Sequence, residues 1–198
     1  MHIDLHPPAK KRPLLSLGEG VNLARARVHE VTGPARRSFA VMIAGAMKGP
    51  VLWIMPVWES DRPNPDGLRP FFEPSRLILA LPRRPEDYLW CLEQGLRSGA
   101  ALTVIADLPR PPGLTPVRRL MLAAEESGHS PIGILLTPGD GGAPGIETRW
   151  YIEQRHVQGK AFWSLERLRA RVDPPRRWRV RYSQGGLHFD PAAGRPLP

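Results

Sequence analysis

Cysteine is nearly absent from the chain, since Cys91 is the only one among 198 residues. A single cysteine cannot form an intramolecular disulfide, which excludes the disulfide-stapled scaffolds typical of small secreted proteins. The sequence also lacks an apolar run of the roughly 20 residues that cross a bilayer, and its first residues, MHIDLHPPAKKRPLL, have no apolar core of a secretory signal. We therefore expect a cytoplasmic protein that does not interact with membranes.

Acidic residues are in short supply, with 19 Asp and Glu against 28 Lys and Arg and a formal net charge of +9. Such a surplus attracts polyanions, and nucleic acid, with single-stranded DNA as one candidate, is the partner that it favours. An arginine-rich proteome would explain the same balance. Metal-binding patterns are missing too, because the 6 histidines are dispersed and none has the spacing to cysteine or carboxylate pairs that zinc sites use. We predict no metal.

Apolar runs of strand length alternate with helical patterns along the middle of the chain. The strand-like runs cover residues 26–31, 51–57, 76–81, 102–106 and 132–137, and the helical patterns cover residues 38–48, 85–99 and 115–128. Runs that are apolar on both faces and separated by single helices are typical of parallel sheets covered by helices. The fold class that we predict is α/β, with a mostly parallel sheet flanked by helices.

The C-terminal third changes character. RWYIEQR at 149–155 and RWRVRY at 177–182 alternate as half-buried strands do, and residues 162–172 fit a helix or a strand by period, with the following turn favouring a hairpin. These segments predict antiparallel strands that extend the sheet, and PGDGGAPG at 138–145 predicts a flexible loop. We divide the chain into a flexible basic arm at 1–22, one domain at 23–190 and a tail at 191–198.

The loop after the first strand has the context of a phosphate-binding loop without its chemistry. In the pattern GxxxxGK[ST] the backbone amides cradle phosphates, the Lys reaches the terminal phosphates and the hydroxyl holds magnesium. Here the loop begins with Gly33 and Pro34, and Ser38, Phe39 and Ala40 stand where the second Gly, the Lys and the hydroxyl residue belong. Because phosphoryl transfer depends on that cation and that metal ligand, we predict a non-enzymatic protein without a cofactor, in which Phe39 packs the helix against the sheet.

The positions of two sets of arginines are compatible with anion binding and equally with exposure to solvent. Arg36 and Arg37 lie in the loop at a helix N-terminus, where an anion would bind favourably. Arg177, Arg179 and Arg181 project from one strand face about 6.7 Å apart, close to the repeat of phosphates along a nucleic acid strand. A solvated loop explains the first set equally well, and a charged edge that discourages aggregation explains the second.

Six tryptophans are many for a chain of this length. Trp53, Trp90 and Trp150 fall in core-like patterns, which predicts burial. Trp58 and Trp163 lie beside segments that we expect to be flexible, so they are our candidates for a surface that contacts a partner protein.

The order of these elements resembles the RecA core. VHEVTGPARRSFAVMIAGAMKGPVLWI resembles that family's first strand, phosphate loop, helix and second strand, and LEQGLRSGAALTVIAD resembles the helix and the strand that bears the metal-supporting Asp, here Asp107. LRARVDPPRRWRVRYSQGG is similar to the closing hairpin. Within that superfamily the chain is most similar to the ImuA family, on VHEV at 28–31, VLWI at 51–54, PEDYLWCLEQGLRSGA at 85–100, RRLMLAAEESG at 118–128 and ETRW at 147–150.

The resemblance implies a RecA-like α/β fold, a Walker B-like role for Asp107, and a function in SOS-induced, error-prone translesion DNA synthesis and DNA repair. It implies contacts with RecA, with the Y-family polymerase-like protein ImuB and with an error-prone polymerase III alpha subunit. Two alternatives stay open. One is an ATP-binding, RecA-type ATPase with an unorthodox loop, and the other is a SulA-like cell-division inhibitor, since the SulA group shares the fold.

Overall fold

The computed structural model describes residues 12–156, 161–183 and 186–192. Its strands are β1 (Leu14–Gly18), β2 (Val21–Ala24), β3 (Arg27–Thr32), β4 (Val51–Ile54), β5 (Leu77–Ala80), β6 (Thr103–Asp107), β7 (Ile132–Leu136), β8 (Thr148–Gln154), β9 (Phe162–Ala170), β10 (Arg176–Ser183) and β11 (Gly186–Pro191). Its helices are α1 (Arg36–Ala46), α2 (Pro65–Leu68), α3 (Pro85–Ser98) and α4 (Leu114–Glu126), and a 3-10 turn covers Pro74–Arg76.

One nine-stranded sheet organises the molecule, in the order β11-β10-β9-β8-β3-β7-β6-β4-β5. Neighbours from β8 to β5 are parallel, and β8, β9, β10 and β11 pair antiparallel. The α/β class, the mostly parallel sheet and the antiparallel C-terminal extension are therefore confirmed. One detail differs from the prediction, because β8 joins the sheet parallel to β3 and only the strands after it run antiparallel.

Helices cover both faces of the parallel part of the sheet. On β6, Ile105 belongs to the core shared with α1, whereas Val104 and Ala106 belong to the core shared with α3 and α4. Successive side chains on a strand point to opposite faces, so α1 lies on one face and α3 and α4 on the other. No helix within the described ranges has the length and apolar character needed to cross a membrane.

The N-terminal arm predicted for residues 1–22 is wrong for its second half. β1 and β2 form an antiparallel hairpin that buries Leu15, Val21 and Leu23 in the core on the α1 face. The indole N–H of Trp178 donates to the Glu19 carbonyl oxygen at 2.8 Å, which fixes the hairpin turn to β10. The alternation of Leu and Val around a Gly-Glu-Gly turn explains the strands. Residues 1–11 of the arm lie outside the described residues.

The predicted C-terminal tail, residues 191–198, begins one residue too early. Pro191 is the last residue of β11 and pairs with Trp178 of β10. Residues 193–198 lie outside the described part of the chain.

Candidate functional site

Two backbone donors of the loop that joins β3 to α1 are bonded within the protein. The Ala35 N–H donates to the Ile152 carbonyl oxygen at 3.1 Å, and the Arg36 N–H donates to the Gly33 carbonyl oxygen at 3.2 Å. Gly33 has a φ of +94°, and a Cβ there would lie 2.4 Å from the same Ile152 oxygen. Pro34 has no N–H to offer. The front of this loop is therefore folded against β8, and these amides do not point at a ligand.

The positions that should carry the lysine and the hydroxyl face the core. Phe39 and Ala40 are fully buried, and the Phe39 ring lies 5.6 Å from the Trp150 ring between centroids. An aromatic pair of this kind stabilises packing by about 0.5–1.5 kcal/mol beyond the area that it buries. The predicted packing role of Phe39 is confirmed. Ser38 remains half-buried on the side of α1 that lines a cavity.

Arg37 is the centre of an ion-pair cluster at the carboxyl ends of β4 and β6. Its Nε lies 2.6 Å from Asp107 Oδ2, its Nη1 lies 2.9 Å from Asp61 Oδ2, and its Nη2 lies 3.3 Å from Glu59 Oε2. Arg36 Nε lies 3.9 Å from the other Asp107 oxygen. Separate sequence patterns pointed to Arg36, Arg37 and Asp107, and in the structure their side chains lie together.

The cluster perturbs the titration of its members. Burial raises the pKa of the Asp107 carboxyl, and the Arg37 guanidinium opposes that rise. Burial also works against the charge of Arg37, but the carboxylates around it outweigh burial and raise its pKa. The pKa of Glu59 is lowered, first by the Asp61 N–H that donates to it and then by Arg37.

This arrangement puts a guanidinium on the carboxylate that would support a metal. Two arginines face three carboxylates in the cluster, so its formal charge is negative by one. A polyphosphate would meet repulsion from that surplus, because the cation nearest to it is already neutralised. The Ala35 and Arg36 amides are therefore already bonded, and Arg37 is already paired with carboxylates.

Three arginines of β10, which we call the arginine stripe, lie on one face of the strand, as the alternation predicted: Arg177, Arg179 and Arg181. Trp178 and Val180 are buried on the other face. Its members have different partners: Arg177 Nη2 lies 3.0 Å from Glu166 Oε2, Arg181 Nη2 lies 2.6 Å from Asp190 Oδ2, and Arg179 lies over the Phe162 ring at 5.0 Å from its centroid. Among the described residues, Arg179 is the stripe member without a carboxylate partner. The stripe therefore presents less positive charge than its sequence suggests.

The tryptophans differ from the predictions at one position. Trp53 and Trp150 are buried, but Trp90 is 59% exposed, so its predicted core position is wrong. The buried residues of α3, among them Tyr88 and Leu92, lie on the opposite side of the helix. Trp58 is 61% exposed and meets the Tyr88 ring edge-on at 6.2 Å.

Trp163 is half-buried and lines a cavity of about 520 Å³ between α1, residues 61–71 and strands β9 and β10. Whether Trp58 or Trp163 contacts a partner protein stays a prediction.

Sequence reasoning missed a second carboxylate centre. Glu30 on β3 is fully buried and accepts hydrogen bonds from four residues: Thr137 Oγ1 at 2.8 Å, Gly142 N at 2.9 Å, Ala143 N at 3.1 Å and Arg149 Nε at 2.5 Å. Two of these bonds attach the loop at 138–145 to β3 through Gly142 and Ala143; the flexibility of this loop stays a prediction. The available signal was a carboxylate between Val28 and Val31 in a strand that the sheet buries.

His29, the neighbour of Glu30 on β3, belongs to a neutral network on the other strand face. The Trp150 N–H donates to Thr148 Oγ1 at 2.6 Å, that hydroxyl lies 2.7 Å from His29 Nδ1, and His29 Nε2 lies 2.9 Å from the Ala24 carbonyl oxygen. A neutral ring that donates from Nε2 and accepts at Nδ1 satisfies every member. Burial lowers the pKa of His29 to about 4.

The chain matches no protein-family model, and it matches none of the curated proteins either.

Proposed function

We propose that this chain is a non-enzymatic, RecA-like accessory protein of the ImuA family that acts in SOS-induced translesion DNA synthesis. The proposed partners are RecA, ImuB and an error-prone polymerase III alpha subunit, with single-stranded DNA as a further ligand. The resemblance of the motifs in β3, β4, α3, α4 and β8 to ImuA supports the biological role. The order of the parallel strands and helices is compatible with a RecA-like core.

The observation that carries the non-enzymatic part is the ion pair between Arg37 and Asp107. Nucleotide hydrolysis on this scaffold needs a metal held near the strand-end carboxylate and a cation on the phosphates. Here the guanidinium lies on that carboxylate at 2.6 Å, and a buried phenyl ring replaces the lysine. A scaffold of this kind can still bind other macromolecules through its surface.

Calorimetric titration with Mg-ATP tests the loss of nucleotide chemistry, with RecA as the positive control. We expect no heat of binding at micromolar protein and no phosphate release above the buffer rate. Magnesium-dependent phosphate release that disappears in Arg37→Ala would instead support the alternative of an ATPase with an unorthodox loop.

Affinity capture from DNA-damaged cells tests the partners. We expect the tagged chain to recover RecA, ImuB and the polymerase alpha subunit together. Recovery of the division GTPase without these proteins would favour the SulA-like alternative and count against the proposal.

A further inference from the structure

The loop that follows β7, residues 138–145, closes around the carboxylate of Glu30. The amides of Gly142 and Ala143, which are successive in the chain, donate to Glu30 Oε1 at 2.9 and 3.1 Å. Successive backbone amides that point at one place form a concavity that binds anions. In this protein the anion in the concavity is a side chain of the protein itself.

Two further side chains complete the surroundings of this carboxylate. Thr137 Oγ1 donates to Glu30 Oε1 at 2.8 Å, and Arg149 Nε lies 2.5 Å from Glu30 Oε2. Arg149 Nη2 also donates to the Ala143 carbonyl oxygen at 3.0 Å, so one guanidinium binds both the carboxylate and the loop. Bonds from a guanidinium and from backbone amides to a charged oxygen are among the strongest in proteins. Glu30 has no exposed surface, so bulk water does not compete for these donors.

Gly141 lets the loop approach the carboxylate closely. It has a φ of +73°, and a Cβ there would lie 2.9 Å from the carboxylate of Glu30. Gly139 has a similar φ of +59°, but a Cβ there would meet no atom of the described residues within 4 Å. A side chain at Gly141 would therefore push against the carboxylate, whereas one at Gly139 would not.

We infer that Glu30 is a built-in anion that latches the loop at 138–145 in its closed conformation, so that the loop keeps this conformation without a bound ligand. The closed loop places Ala143, and Ile146 directly after the loop, in the core that α3 and α4 share, where both are buried. An open loop would expose both side chains to water, which is unfavourable. A latched loop presents the same surface before and after a partner binds, which lowers the cost of ordering on binding.

Removal of the latch should leave a site for a small carboxylate. Glu30→Ala deletes a methylene group and the carboxylate, and acetate has the same heavy atoms. We expect acetate to bind Glu30→Ala with a dissociation constant of about 1 mM, within the range that a ligand of this size reaches. The midpoint of thermal unfolding of Glu30→Ala should therefore rise with acetate concentration. Acetamide, which has the same shape and no charge, and sodium chloride at the same ionic strength should raise it much less.

Glu30→Gln is the matched variant, because glutamine fills the same space without the charge. Its NH₂ group replaces an oxygen that accepts hydrogen bonds in the unchanged protein. We expect the Gly142 and Ala143 amides to exchange hydrogen about tenfold faster than in the unchanged protein, the effect of losing one hydrogen bond. Acetate should not slow this exchange, because its site is filled. This variant also supplies the measurement if Glu30→Ala fails to fold without acetate.

A pair of glycine variants tests the fit of the loop. Gly141→Ala and Gly139→Ala both place a side chain at a positive φ, so both carry backbone strain. Because only Gly141→Ala adds a contact with the carboxylate, we expect it to speed exchange of the Gly142 and Ala143 amides about tenfold relative to Gly139→Ala. The Ile134 amide of β7 should exchange equally slowly in both variants, which shows that the sheet is intact.

Equal exchange of the Gly142 and Ala143 amides in the unchanged protein, Glu30→Gln and Gly141→Ala would show that the carboxylate does not hold the loop, and would overturn the latch. Exchange of both amides at the rate of an unstructured chain in the unchanged protein would overturn it too, in favour of the flexible loop that the sequence predicts. If sodium chloride stabilises Glu30→Ala as much as acetate does, the concavity is not an anion site. Stabilisation by acetate alone, together with faster exchange in Glu30→Gln, supports the latch.

Discussion

Glu30 and Asp107 are both strand carboxylates paired with an arginine, but their surroundings differ. Glu30 has no exposed surface and accepts hydrogen bonds from a hydroxyl and two backbone amides in addition to Arg149. Asp107 has arginines as its partners among the described residues, and Arg37, which holds it, is 25% exposed. Glu30 is bonded to the backbone of a loop, whereas Asp107 is covered by the long side chains of Arg36 and Arg37.

The difference shows two ways in which this fold neutralises a strand carboxylate. At Glu30 the backbone supplies the donors, so the pair depends on one loop conformation and fixes it. At Asp107 the long side chain of Arg37, in the first turn of α1, supplies the charge, so this pair does not depend on donors from a loop backbone. We therefore expect the first centre to matter for stability and the second for ligand selectivity.

Removal of the Glu30 carboxylate should produce the largest effect. Glu30→Ala leaves Arg149 and two backbone amides without their acceptor in a dry environment, and loss of one member of a buried pair costs about 3–5 kcal/mol. Urea denaturation measures the change in the free energy of unfolding. Glu153→Ala, which removes a carboxylate paired with Arg155 at the surface, is the control and should change stability by less than about 1 kcal/mol. Equal effects of the two variants would contradict the distinction.

Acid should destabilise the folded protein through His29, the neighbour of Glu30. The pKa of His29 is lowered from 6.5 to about 4 in the folded protein. Above pH 6.5 the ring is neutral in both states; as the pH falls from 6.5 to 4 the unfolded chain binds a proton first, so stability is lost, and below 4 the loss stops. The total is about 3 kcal/mol at 1.36 kcal/mol per pH unit.

Denaturation midpoints between pH 7 and pH 4 check this expectation. His29→Gln should flatten the pH dependence, while His188→Gln, at an exposed histidine, should leave it unchanged. If the unchanged protein and His29→Gln lose stability in parallel, the buried neutral network is not its source.

Removal of the Asp107 carboxylate should be milder. In Asp107→Ala the Arg37 guanidinium keeps Glu59 and Asp61 and reaches water, so we expect a loss of about 1–2 kcal/mol. The same denaturation experiment measures it beside Glu30→Ala. A loss as large as that of Glu30→Ala would show that both centres are structural.

Substitutions in the arginine stripe of β10 should produce the smallest effect. Arg179 has no carboxylate partner among the described residues, while Arg177 and Arg181 each have one. If single-stranded DNA binds this face, Arg179→Ala should reduce the slope of log K against log salt by about 0.7, one phosphate contact on a single strand, and Arg177→Ala should reduce it less. Fluorescence anisotropy of a labelled oligonucleotide over a salt series gives both slopes. Identical slopes in the unchanged protein and both variants would remove the stripe from the DNA surface.

The sequence predicted the elements of the sheet better than the contacts between them. Continuous apolar runs such as Val51–Ile54 reveal buried strands, because burial on both faces requires apolar residues at successive positions. The hairpin at 14–24 was hidden by the prolines and basic residues before it, although its Leu and Val residues alternate. At this hairpin the alternation of apolar residues was therefore a better guide to the structure than the composition of the residues before it.

The site depended on long-range geometry that no local pattern contains. Arg37 and Asp107 are 70 positions apart, and Glu30 and Arg149 are 119 apart. Which arginine meets which carboxylate depends on strand order and on how the loop folds against Ile152. The departure of Ser38, Phe39 and Ala40 from the phosphate-loop pattern could be read from the sequence, but the contact between Arg37 and Asp107 could not.

The hairpin β1–β2 has a consequence for the synthesis of the chain. Leu15 and Leu23 are synthesised well before Phe189 of β11, against which β1 packs. A nascent chain that has not yet reached Phe189 lacks one of the surfaces that cover these apolar strands. Closure of this part of the core therefore waits for β11, and a chain cut before β11 would be more open to proteolysis.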